Sequence, residues 1–321
     1  MNSLDVRCHA NYVPGVDIYR YQMHNHEGQK VTWYVCTPTG SSVTAKSVMV
    51  LLHGSGASSV IARTREGTII PFLFDKASTI MEKWNVVLVE KQGMRLGEHH
   101  DDWVVGPSRE FLEHYTVSQR IDDTSSVLGW MKAAGISDGT RIVLVGSSEG
   151  SEVAAGAAAR DSNVTHLALF GAVIGIPLFD AFLLPLRRAL RAGQITSKAF
   201  EKSYERYREV FRDINTHPNA ANLFLDNMTY RYWASSAEHS LLCSLTKVEV
   251  PTYLAIASED ECTLPESSDI LVAELDRRGK TNLYVHQYFG LDHGFSKRDD
   301  NGRCCLALEV WRDLLDWIAK Y

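Results

Sequence analysis

The sequence predicts an α/β fold with a mostly parallel, doubly wound sheet of about eight strands flanked by helices. Three observations carry this. Short β-branched runs recur along the 321 residues. Stretches with helical spacing fill most of the intervals between them. One long interval, residues 176–246, is helical text throughout. Strands alternating with helices call for a parallel sheet with right-handed crossovers.

The runs are 16–24, 30–38, 47–54, 85–93, 141–148, 164–173, 251–260 and 282–290. The first two alternate polar and apolar residues, as half-exposed antiparallel strands do. The next are continuous apolar runs, as in strands buried on both faces of a parallel sheet. Helices are expected over 68–84, 116–135, 149–160, 266–279 and 305–321. In the second, Ile121, Val127, Leu128 and Met131 recur at helical spacing and Gly135 ends the pattern. The third is rich in small residues, which lets it pack close to a sheet. Residues 1–175 and 247–321 therefore read as one core, and 176–246 as a helical cap over the carboxyl edge of the sheet, where such folds bind ligands. Between 187 and 212 the cap carries eight Lys and Arg residues, interleaved with Glu201, Glu205 and Glu209. That pattern reads as a solvated helix face before it reads as an attractor for an anionic substrate.

Composition excludes several classes. With 45% hydrophobic and 22% charged residues, the chain can bury a core without disulfides or metals. A net charge of −6 argues against a nucleic-acid partner, since phosphate binding wants a basic face. Six cysteines show neither a CxxC pair nor zinc spacing, and Cys36 and Cys243 sit in apolar text, so free thiols in a reducing compartment are expected. No apolar leader and no membrane-spanning run is visible, which points to the cytoplasm and leaves signal-less export open. A homodimer is compatible with the sequence.

The chemistry centres on Gly146-Ser147-Ser148-Glu149-Gly150. A G-x-S-x-G match arises by chance in about one chain in ten of this length. Here it follows the strand-like "RIVLV" and opens the helix-like "SEVAAGAAA", the strand–turn–helix setting in which such a serine is exposed as a nucleophile. Ser148 is that residue, with Ser147 the neighbour that could be mistaken for it. A serine at its free pKa needs a base. His293, in "FGLDHGFS" after the last strand, is the candidate among twelve histidines. His99 and His100 resemble loose metal ligands but read as a solvated loop, and His24 and His26 fall near the amino-terminal hairpin. The base in turn needs a carboxylate. Asp260 at the end of the seventh run is first choice, Glu259 second and Asp180 third, while Asp292 adjoins His293 and should point away from its ring.

"LLHGSG" (51–56) ends the third run in small residues, so backbone N–H groups can approach a substrate carbonyl. The Ser55 and Glu149 N–H groups are the expected oxyanion donors, with His53, Gly54 and Gly56 shaping the loop. Neither G-x-G-x-x-G nor a GK[ST] ending follows it, so no phosphate-bearing cofactor is expected.

"HGSG", "GSSEG", Asp260 and His293, in that order and each at the end of its own strand, resemble the α/β-hydrolase superfamily over nearly the whole chain. "VEKQGM" and "YTVSQRIDD" (115–123) further resemble a group of bacterial serine esterases and peptidase-like hydrolases. The resemblance implies a Ser148–His293–Asp260 triad acting on a small-molecule ester or thioester, with no cofactor and no metal. Phe179, Phe182, Leu183, Leu184, Phe224, Tyr230, Tyr232 and Trp233 would either line an acyl pocket or form the cap's own core. A small-cap peptidase and a catalytically silent binding protein are the alternatives.

Overall fold

The computed structural model describes residues 5–25, 27–63, 68–69, 71–298, 304–306 and 308–321. Their frame is a nine-stranded sheet. Its strands are β1 (Asp5–Val13), β2 (Val16–His24), β3 (Lys30–Pro38), β4 (Lys46–Leu52), β5 (Trp84–Val89), β6 (Ser137–Ser147), β7 (His166–Phe170), β8 (Thr252–Ala257) and β9 (Leu283–Tyr288). In space they run β1-β2-β3-β5-β4-β6-β7-β8-β9. The β1/β2, β2/β3 and β3/β5 pairs are antiparallel, and every pair from β5/β4 to β8/β9 is parallel. The sheet thus has one strand more than the eight expected.

Alternation assigns the side chains to two cores. Val31, Trp33 and Val35 face one side of β3, while Tyr34 and Cys36 face the other. Val48, Val50 and Leu52 of β4 oppose Met49 and Leu51 in the same way. The first core is covered by α2 (Val117–Met131), α3 (Glu149–Ala158) and α8 (Pro265–Arg277). The second is closed by α9 (Leu308–Lys320), through Val310, Trp311, Leu314, Trp317 and Ile318. Thr116 starts α2, its side-chain oxygen accepting the Gln119 N–H at 3.1 Å. Small residues in α3 have a steric reason: a Cβ at Gly150 would overlap the Leu52 carbonyl oxygen, and one at Gly156 would overlap Ile121.

Between β7 and β8 lie a π-helical turn (Leu178–Leu183), α4 (Leu184–Arg191), α5 (Ser197–Thr216), α6 (Tyr230–Glu238) and α7 (Leu241–Leu245). Phe182, Ile214, Leu225 and Tyr230 bury one another in a third, separate cluster.

Four expectations need correction. Residues 68–84 do not form one helix: Thr68–Ile69 pairs with Ala62–Arg63, and only Phe74–Ala77 and Ser78–Ile80 are helical. Pro71 interrupts the apolar run, and Leu73 at φ 64° cannot continue a right-handed helix. A short helix, α1 (Arg109–His114), lies where none was expected. A two-residue hairpin, Phe224–Leu225 with Met228–Thr229, interrupts the helical text of 176–246. Cys36 is buried but Cys243 is exposed. No helix among the described residues is long and apolar enough to cross a membrane.

Candidate active site

β6 ends in Ser147, which still pairs in register with Phe170 of β7, and the chain then turns sharply into α3. Ser148 makes that turn at φ 55° and ψ −128°, a conformation non-glycine residues rarely adopt. Two contacts hold it there. Its N–H donates to the Phe170 carbonyl at 2.9 Å, and the Ser151 N–H donates to its carbonyl at 2.8 Å. The glycines of the motif supply room. A Cβ on Gly146 would collide with the Gly150 carbonyl, and one on Gly54 would come 3.1 Å from Ser148 Cβ.

The loop after β9 brings His293 against Asp260, which lies beyond β8. Their Nδ1 and Oδ2 atoms are 2.8 Å apart. The Asp260 carboxylate is otherwise fully engaged. The Cys262 and Thr263 N–H groups donate to Oδ1 at 2.8 and 2.7 Å, and Thr263 Oγ1 donates to Oδ2 at 2.5 Å. Burial pushes this carboxyl's pKa up, but the His293 hydrogen bond and charge, with Thr263, more than offset that and hold it below its usual value. The carboxylate is ionised and oriented.

Phe170 and Gly171 join the two halves. Phe170 carries Ser148, while a Cβ on Gly171 would come 3.2 Å from His293 Cε1 and 3.3 Å from Asp260 Oδ2. Gly171 also adopts φ 58°, which favours glycine. Ser148, His293 and Asp260 therefore gather at the carboxyl ends of β6, β9 and β8.

The second- and third-choice carboxylates are occupied elsewhere. Glu259 accepts from Ser258 Oγ, and Asp180 accepts from the Gly175 and Ile176 N–H groups and from Ser267 Oγ. Asp292 accepts from the Gly294 and Ser296 N–H groups and so shapes the His293 loop. His99 bonds Ser58 Oγ and Asp101, and His100 bonds Glu98, as loop fastenings. Among the described residues, the three Asp, Cys, Glu or His side chains whose donor atoms all come within 4.8 Å of one another are Asp260, Cys262 and His293, and that loop gathers no such trio. His24 is exposed at the end of β2, and His26 lies outside the described residues.

His53, Gly54, Ser55 and Gly56 follow β4 directly. Among the described residues no acceptor takes the N–H of Ser55 or of Glu149. The His53 ring is buried, and burial, with Lys91 and Arg120 nearby, lowers its pKa and keeps it neutral.

Beneath this loop lies a buried polar cluster. Glu149 forms an ion pair with Arg120 Nη1, and Tyr115 and Tyr232 both donate to its Oε2 at 2.7 Å. Burial would raise the Glu149 pKa, but Arg120, Lys91 and the two hydroxyls pull it below its ordinary value. Lys91 Nζ donates to the Gly56 carbonyl at 2.6 Å; burial and the Arg120 charge lower it to about 7. Glu90 accepts from Ser59 Oγ and the Val60 N–H, fastening the continuation of the loop. Sequence reasoning missed these roles, although a signal was present. Arg120 stands on the apolar stripe of α2, three residues after Val117, and Glu90-Lys91 directly follow a buried strand.

Of the aromatic residues weighed as an acyl pocket, Phe182 and Tyr230 are spent on the inserted helices' own core, with Trp233 packed against it, and Tyr232 on Glu149. Apolar space lies instead beside the 53–57 loop, where Ala57, Trp103, Leu112, Tyr115 and Met228 line a narrow gap. Leu112 also lines a groove of about 710 Å³ with Val104, Val105, Pro107 and Phe224.

No protein-family model and no curated protein sequence matches this chain. Solved structures do. An acetyl xylan esterase from Paenibacillus sp. R4 superposes with a TM-score of 0.60 at 15% identity, covering 99% of this chain and 88% of that one. The α/β hydrolase GrgF from Penicillium sp. sh18 gives 0.57 at 12% identity, covering 94% and 98%. Dipeptidyl peptidase 4 from Porphyromonas gingivalis gives 0.57 at 12% identity, and the match, 94% of this chain, spans only 35% of that protein. At these identities the likeness establishes the fold, and the fold is that of the α/β hydrolases.

Proposed function

We propose that this chain is a serine hydrolase that cleaves carboxylic esters, thioesters included, of small to medium acyl groups through an acyl-enzyme. The observation that carries this reading is the strained Ser148 turn, joined through Phe170 and Gly171 to a His293–Asp260 pair 2.8 Å apart.

In the proposed cycle Asp260 holds the proton of His293 on Nδ1, which leaves Nε2 as the acceptor. Ser148 Oγ attacks the ester carbonyl as Nε2 takes its proton. The carbonyl oxygen becomes an oxyanion facing the Ser55 and Glu149 N–H groups, with the amino terminus of α3 adding positive potential. Collapse breaks the bond to the leaving alcohol or thiol, which departs with the proton from Nε2. Water then gives its proton to Nε2 and attacks the acyl carbon, and release of the acid returns the proton to Ser148. His53, Gly54 and Gly56 support the turn that presents Ser55.

Residues 176–246 act as a cap over the carboxyl edge of the sheet in this reading. Ser148→Ala is expected to lower kcat on p-nitrophenyl esters by at least about a thousandfold. Near-wild-type turnover by that variant would remove Ser148 from the mechanism. Amino-acid anilides, offered beside the esters, separate the peptidase alternative, and esters are expected to be turned over faster by at least about a hundredfold.

A further inference from the structure

The buried cluster under the oxyanion loop does more than hold charge. The Arg120 and Glu149 side chains are 6% and 4% exposed, and they are the only strongly charged pair behind Ser148 that is this deeply buried among the described ion pairs. Arg120 reaches past Glu149: its Nη2 donates to the His53 carbonyl at 2.8 Å. Tyr115 also has two partners, donating to Glu149 Oε2 and accepting the Gly56 N–H at 3.0 Å. The peptide carrying the Ser55 N–H therefore lies between two fixed points, the His53 carbonyl and the Gly56 N–H. Both are anchored to the side chain of the residue whose own N–H is the second donor.

We infer that Tyr115 and Arg120 are positioning residues that set the separation of the two oxyanion donors by fastening the 53–56 loop to the Glu149 carboxylate. This rests on the ester-hydrolase reading and deepens it. Charge supports it as well as geometry. An unpaired carboxylate one residue from the nucleophile would oppose the developing oxyanion, and Arg120 neutralises it at contact. Preorganised donors act only if they stay fixed as charge develops, and the buried Tyr115 and Arg120 bonds that tie the loop to one carboxylate provide that rigidity.

Tyr232 supplies the comparison. Its hydroxyl donates to the same Glu149 oxygen at the same 2.7 Å, but among the described residues it makes no hydrogen bond to the loop. Tyr115→Phe and Tyr232→Phe thus remove matched hydrogen bonds, and only the first frees the Gly56 N–H. Both phenylalanines keep the rings, which stack on each other with centroids 5.3 Å apart, so both chains should fold.

The test measures kcat and KM on a p-nitrophenyl ester, affinity for an alkyl boronic acid (which forms a tetrahedral adduct on an activated serine) and Tm, for the wild type and both variants. Tyr115→Phe is expected to lose about tenfold in kcat with KM within about twofold, and boronate affinity should fall by a similar factor. Tyr232→Phe should lose no more than about twofold in kcat at a comparable Tm. Equal losses in the two variants, a loss confined to KM, or a kcat loss with boronate affinity retained would each overturn the positioning role. A wild-type chain that turns over no ester would fail at the first measurement, and would take the ester reading and this inference down together.

Discussion

Ser148 holds a backbone conformation that costs of order 1–3 kcal/mol elsewhere in proteins, and its surroundings show what maintains it. The Phe170 carbonyl takes its N–H, Gly54 leaves room beside its Cβ, and Gly146 and Gly150 let the turn pack against its neighbours. Around the partner pair, Thr263 is the residue with the most to reveal. Its hydroxyl bonds Asp260 Oδ2 and lies 3.2 Å from His293 Nδ1. Thr263→Val should lower kcat about three- to tenfold, because the carboxylate loses one of the bonds that orient it, whereas Asp260→Asn should cost about 10⁴-fold through the wrong histidine tautomer. Steady-state kinetics on one ester checks both. The placement of Ser148, Asp260 and His293 at strand ends was legible, since a G-x-S-x-G turn and two loops after apolar runs mark those positions. Thr263 was not. A threonine three residues after an aspartate is an ordinary loop pattern until the fold turns both toward one histidine.

At the scale of elements, α3 and β4 approach through glycine. A Cβ at Gly150 would overlap the Leu52 carbonyl oxygen, which is backbone and cannot swing aside. Gly150→Ala should therefore lower stability by about 2 kcal/mol or more and shift the denaturant midpoint, even though alanine has the higher helix propensity. An unchanged or raised midpoint would mean that α3 sits further from β4 than described. The parallel strands were legible because strands buried on both faces read as unbroken apolar runs. β1 was missed for the opposite reason: it is an edge strand, and "DVRCHANYV" lacks a run of that kind. The expected helix over 68–84 failed locally. Pro71 stands inside its apolar run and acts as a breaker there.

Across the whole molecule, charge is buried on the side of α3 that meets the inserted helices. Glu152 is pushed up to about 8 by burial first and by Glu149 and Asp180 second, with Ser236 and Arg120 pulling the other way. An acid whose folded pKa lies above its ordinary value of 4.5 binds a proton in the folded state that the unfolded state has released. Its contribution to stability is therefore present in full below about pH 4.5 and is lost as pH rises toward about 8. Glu152→Gln should gain stability over the wild type across that window and hold the gain above it, as paired denaturant titrations at pH 5 and pH 9 would show. A constant difference between the two proteins would contradict the shift. The helical character of residues 176–246 was legible, but not the use of their aromatics, because periodicity reports that a helix has an apolar face and not what that face meets. Here Phe182 and Tyr230 meet the insertion's own helices, while Tyr232 crosses to Glu149.

The central claim is that Ser148 is an activated nucleophile, and labelling with a fluorophosphonate followed by mass spectrometry of the modified peptide tests it most directly. The probe reacts with a serine only where a base and oxyanion donors are in place. One label per chain on Ser148, lost in His293→Ala, is the predicted result. No label on the folded wild type, or a label on Ser147, would contradict it.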